Sequence, residues 1–125
     1  MRKRQVAGSG ISPEARGPLE SIAKAGRFVI DWSGDVNEHR LWADKQKRAA
    51  VERQFEVIAE ALRRLREVDP RTFHGIEDAE TAIRLGEALH RDYDKIDYGI
   101  LWRATRCELP EMLRRVEDLL AKLDL

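Results

Sequence analysis

The feature that most limits what this chain can fold into is an apolar seam within "KRAAVERQFEVIAEALRRLREVD". Val51, Phe55, Ile58, Leu62 and Leu65 recur at steps of 4, 3, 4 and 3, and charged residues fill the faces between them. A helix turns once in about 3.6 residues, so this spacing gathers all five side chains on one side. A strand would scatter them over two faces. The seam predicts a long helix packed closely against another helix, in this chain or in a second copy. Asp69-Pro70 stops it, because proline disfavours the helical conformation in the residue before it.

The same periodicity runs through most of the chain. Leu19, Ile22, Gly26, Val29 and Ile30 form one stripe. Ser12 before Pro13 and Glu14 has the pattern of a helix start, an oxygen-bearing cap followed by proline at the first helical position. That helix is expected to reach about Trp32 and to end at Ser33-Gly34-Asp35. A short helical turn over Asn37 to Ala43 would hold Leu41 and Trp42 on the core. "PRTFHGIEDAE" reads as a loop anchored by Phe73 and Ile76, followed by a helix from Asp78 through Tyr93. Two last segments follow, with a break or kink expected at Pro110, which lacks the N–H of an interior helix bond. Leu109, Met112, Leu113, Val116, Leu119, Leu120 and Leu123 make the closing stripe. No β alternation or internal repeat occurs. The expected fold class is all-α, an up-and-down bundle of four to five helices over residues 13–125, with residues 1–12 as a disordered lead-in.

At 125 residues the chain reads as one domain. Its 23 basic and 23 acidic residues cancel, so no global field draws it to nucleic acid. The single Cys107 excludes an internal disulfide and fits a reducing cytoplasm, most simply as a small, partly buried side chain. No stretch approaches the roughly 18 apolar residues of a membrane span. The basic start lacks the apolar core of a signal peptide, so a cytoplasmic location is expected.

The residues offer little to a metal or cofactor. His39, His74 and His90 fall in three segments, and the Glu-x-x-His spacing of bundle metal sites occurs once, at Glu87 and His90. Neither GxxxxGK[ST] nor GxGxxG is present, and no residue is marked as a nucleophile. No cofactor and no metal are expected. Arg63-Arg64-Leu65-Arg66 could touch phosphate, but Glu60 and Glu67 flank it, and a solvated face with Glu60 paired to Arg64 is the simpler reading. Trp32, Trp42 and Trp102 sit in apolar surroundings and read as core anchors.

"AVERQFEVIAEALRRLREVDP", "IEDAETAI", "YDKIDYGILW" and "ELPEMLRRVEDLL", preceded by "PEARGPLESIAKAGRFVIDWSGD", together resemble the HepT-like HEPN proteins of prokaryotes, in the family's order from Pro13 to Leu123. The resemblance implies a small helical bundle that forms a homodimer through its long helices. It also implies a metal-independent toxin-type RNA endonuclease whose Arg-x(4–6)-His motifs meet at the dimer cleft. In that chemistry histidine exchanges protons near neutral pH and arginine stabilises charge on the phosphoryl group. The implied partner is a minimal nucleotidyltransferase antitoxin, which can adenylylate a tyrosine two positions after the histidine.

Set against "IRLGEALHRDYDKID", the motif departs from the family. Aligning "YDKID" puts Tyr93 on the modified tyrosine, Gly86 on the arginine slot, Glu87 on the following asparagine slot and Arg91 on the histidine slot. In this register both catalytic residues are substituted. Arg91 could still hold RNA phosphate, but it cannot act as a base at neutral pH. The other register takes Arg84 and His90, with Leu85 in place of the polar second residue. On a helix, Ala82, Leu85, Gly86, Leu89 and Tyr93 mark the packed side, Arg84, Glu87 and Arg91 form a charged stripe opposite, and His90 lies about 120° from Arg84. The expectation is a degenerate, non-cleaving toxin-type domain. The alternatives are a working or weakened ribonuclease using Arg84 and His90, a regulatory subunit of a nucleotidyltransferase, and a purely structural oligomeriser.

Overall fold

The computed structural model describes residues 10–34, 37–92 and 97–125. After a 3₁₀ turn at Pro13–Ala15 come α1 (Arg16–Ser33), α2 (Glu38–Ala43), α3 (Lys45–Val68), α4 (Pro70–His74), α5 (Ala79–Asp92), α6 (Tyr98–Arg103) and α7 (Leu109–Leu123). The chain is an all-α bundle, and the described residues hold no strand. Its long members are α1, α3, α5 and α7, joined by the short helices. α3 packs against both α1 and α5, and α7 packs against α1.

The seam explains the central place of α3. Val51, Phe55, Ile58, Leu62 and Leu65 are all buried, in one core with Leu19, Ile22 and Val29 of α1 and Val116 and Leu119 of α7. The helix-on-helix contact that the seam demands is therefore met inside the chain. A second copy is not needed to cover it, so the seam by itself gives no argument for a dimer.

α3 starts where Asp44 accepts hydrogen bonds from the amides of Gln46 and Lys47, both at 3.1 Å. It ends at Asp69, whose carboxylate is 7% exposed and serves three donors. The Thr72 amide reaches Oδ1 at 3.2 Å, the Thr72 hydroxyl reaches Oδ2 at 2.6 Å, and the Ser12 amide reaches Oδ2 at 2.8 Å. Asp69 thus caps α4 and ties the N-terminal segment to the end of α3. The segment expected as a loop begins with this capped helical turn, and Phe73 and Ile76 anchor it as expected. Of the expected lead-in, residues 1–9 lie outside the described residues. Ile11 is buried in the core.

α6 runs into α7 through a wider turn of π helix at Ala104–Glu108, directly ahead of Pro110. The proline at the start of α7 removes a donor and crowds the turn before it, so the backbone winds out there. The interruption expected at Pro110 is this turn. Two expectations need correction. Cys107 is exposed, since the widened turn carries it to the surface. Trp32 is 38% exposed and stacks on Phe28 at 4.8 Å between ring centroids, because it falls on the outer flank of the α1 stripe. Trp42 and Trp102 do pack against the core, edge to face at 6.1 Å.

Candidate functional site

α3 and α5 run antiparallel, as their cross-links show: Arg66 pairs with Glu80, Arg63 with Glu87, and Glu56 faces His90. Between them opens a groove of about 690 Å³. α3 lines it with Arg53, Glu56, Glu60, Arg63 and Arg64, and α5 with Gly86, Glu87, His90 and Arg91. Part of one wall of the groove is thus formed by Arg63 and Arg64 of the arginine-rich stretch. Its pairing also differs from expectation: Glu60 binds Arg63 at 2.7 Å, three residues away, and not Arg64. Arg63 then lies close enough to Glu87 to be held from across the groove at 3.2 Å.

His90 stands in this groove with its side chain 81% exposed. Its Nδ1 lies 3.9 Å from Oε1 of Glu56, beyond hydrogen-bond distance but close enough for a charged imidazole to be attracted. Glu56 is only 24% exposed and is also held by Arg53 at 3.3 Å. Arg84 is elsewhere. It is exposed on the outer side of α5, makes its hydrogen bond to the Thr81 hydroxyl at 3.4 Å, and is not among the groove residues. The fold therefore brings His90 and Arg91 to the groove and leaves Arg84 out of it. Tyr93 lies outside the described residues.

Gly86 lies where α5 comes close to α3. A Cβ built there would stand 2.3 Å from Cβ of Ala59 and 3.1 Å from the carbonyl oxygen of Phe55. Ordinary carbon–carbon contact needs roughly 3.5–4.0 Å. Position 86 therefore has no room for any side chain at this helix spacing.

The Ribonuclease HepT-like family model matches residues 19–119. The chain belongs to the HepT-like ribonuclease family. It is 26% identical over 111 residues to a Methanocaldococcus jannaschii protein provisionally named an RNase, covering 89% of this chain and 91% of that one. A second protein of that organism with the same provisional name is 28% identical over 99 residues, covering 79% and 90%. A protein of Thermococcus cleftensis named a probable ribonuclease HepT is 27% identical over 101 residues, covering 81% and 91%. No solved structure matches the chain.

Apart from Arg91, the groove arginines come from α3, which spacing along α5 alone could not reveal. No three described His, Cys, Asp or Glu side chains gather as metal ligands, and no described helix is long and apolar enough to cross a membrane.

One turn before Glu56, Glu52 has a buried Oε2 without a hydrogen-bond partner. Burial pushes its carboxyl above the ordinary glutamate range; Arg48 and a hydrogen bond from Tyr98 oppose the rise, and Glu56 adds to it. The folded state then keeps a proton that the unfolded chain releases, between the ordinary value and the raised one. The contribution of Glu52 is fully present below that interval and is lost as pH rises through it. Glu52→Gln should therefore gain stability relative to wild type as pH rises from about 4 to about 7. Urea melts across this range test it, and a difference independent of pH would rule Glu52 out.

Proposed function

We propose that the chain is a toxin-type HepT-like component that works beside a minimal nucleotidyltransferase and that its α5 motif no longer cuts RNA. The observation that carries this reading is Gly86: the arginine slot of the family register lies flush against Ala59, where no side chain fits. Arg91 stands in the histidine slot, and a guanidinium cannot take a proton at neutral pH. RNA is in this reading the ligand class, a homodimer the working form, the cytoplasm the compartment and Tyr93 the position that the partner would adenylylate; membership of the HepT-like ribonuclease family supports the first of these. In this reading Arg91 and the groove hold RNA or the partner without cleaving.

The second reading, a working or weakened nuclease using Arg84 and His90, has one observation in its favour. His90 does stand in the groove beside Glu56. Arg84 does not join it there. RNA cleavage by the purified chain in EDTA separates the two. We expect no cleavage by wild type and no change with His90→Ala. Cleavage that His90→Ala abolishes would sink the degenerate reading. Co-purification with a nucleotidyltransferase from a neighbouring reading frame tests the pairing, and its absence would leave the chain as a structural oligomeriser.

A further inference from the structure

The groove between α3 and α5 carries four arginines against three glutamates, and the way these charges pair has a functional meaning. Arg63 is clamped from two sides, by Glu60 of its own helix at 2.7 Å and by Glu87 from across the groove at 3.2 Å. Arg64, the next residue, makes no ion pair or hydrogen bond with the described residues, although it lines the same space. A guanidinium presents donors in a planar fork that accepts the two oxygens of a carboxylate or the two free oxygens of a phosphodiester alike. Glu87 puts its carboxylate where a phosphate bound to Arg63 would sit.

We propose that Glu87 is a built-in competitor for RNA phosphate. The groove is an anion site whose ligands are Arg63 and Arg64 of α3, and Glu87 holds its affinity down by occupying Arg63. This rests on the reading that RNA is the ligand of the chain. The role falls to Glu87 because it reaches Arg63 from the opposite wall at 3.2 Å, where a strand laid in the groove must displace it, whereas Glu60 is three residues from Arg63 on the same helix. Glu87 alone bridges from the opposite wall. The pair is partly solvated, with Arg63 35% and Glu87 44% exposed, so a phosphate can displace it. The residue in the family's asparagine slot thereby sets how strongly the groove takes a polyanion.

The test is binding of a labelled single-stranded RNA oligonucleotide to the purified full chain in EDTA, read by fluorescence anisotropy over a series of salt concentrations. Glu87→Gln keeps the shape of the side chain and removes its charge. It should tighten binding about tenfold and steepen the slope of log affinity against log salt by about 0.7, the increment for one more phosphate contact on a single strand. Glu80→Gln is the control. It changes the net charge by the same amount but frees Arg66, which does not line the groove. It should leave affinity within about twofold, because charges about a Debye length away are screened at ordinary salt. Adding Arg63→Ala to Glu87→Gln should abolish the gain. Equal gains from Glu87→Gln and Glu80→Gln, a gain that survives Arg63→Ala, or no RNA binding by any form at low salt would each overturn the proposal. The first two of these results leave the cleavage assay and co-purification untouched, whereas a failure of every form to bind RNA would also remove RNA as a ligand of the groove.

Discussion

Gly86→Ala should lower the stability of the fold by about 1–3 kcal/mol, the range for overpacking a closed interior. The direction is informative because the local effect has the opposite sign. Alanine in the middle of a helix is favoured over glycine by about 1 kcal/mol. The tertiary term wins because the new methyl group would meet Cβ of Ala59 at 2.3 Å and the Phe55 carbonyl at 3.1 Å. Neither is the far end of a flexible chain, so α5 must lift off α3 as a body. Urea unfolding measures the loss. Ala59→Gly in the same chain should recover part of it, and the two changes should be non-additive, as expected for residues in direct contact. Gly86→Arg starts from the same Cβ and should be at least as damaging. A Gly86→Ala protein as stable as wild type would show that the helices are not held at this distance.

Asp69→Ala should cost about 2–4 kcal/mol, more than an ordinary helix cap, because a cap and two further hydrogen bonds are lost together. The buried carboxylate serves the Thr72 amide, the Thr72 hydroxyl and the Ser12 amide. Its removal leaves donors without partners at a junction where α3, α4 and the N-terminal segment meet. Asp69→Asn should cost less, since one side-chain oxygen remains to accept while the new amide faces donors on the other side. The two melts, with Asn between wild type and Ala, check the assignment. Equal stability of Asp69→Ala and wild type would dismiss the junction as a support of the fold.

The helices were legible because a 3.6-residue repeat states which side must be covered, and Leu19 to Ile30, Val51 to Leu65 and Leu109 to Leu123 state it without ambiguity. α4 carries a signal of the same kind, which a loop reading of this segment passes over. Asp69-Pro70 closes one helix and also opens the next, in the same order of cap and proline that marks Ser12-Pro13. The π turn was legible only as a disturbance at Pro110, since the backbone can answer a missing donor by kinking, breaking or widening. The candidate site was the least legible part. Arg63 meeting Glu87, and Glu56 facing His90, depend on how two helices slide along each other, and no spacing within one helix encodes that offset. Gly86 could have pointed to it, because an isolated glycine inside a helical pattern signals a close backbone approach.

The closeness of Ala59 and Gly86 also constrains how this protein can change. A single substitution that places arginine at position 86 first prises two helices apart. Any side chain there would need room to be made at position 59 beforehand, by a step that empties part of a packed crossing and brings no gain of its own. With the Phe55 carbonyl still at 3.1 Å, even that step clears only part of the way. Positions 59 and 86 on two different helices thus have to change together, and packing keeps position 86 without a side chain.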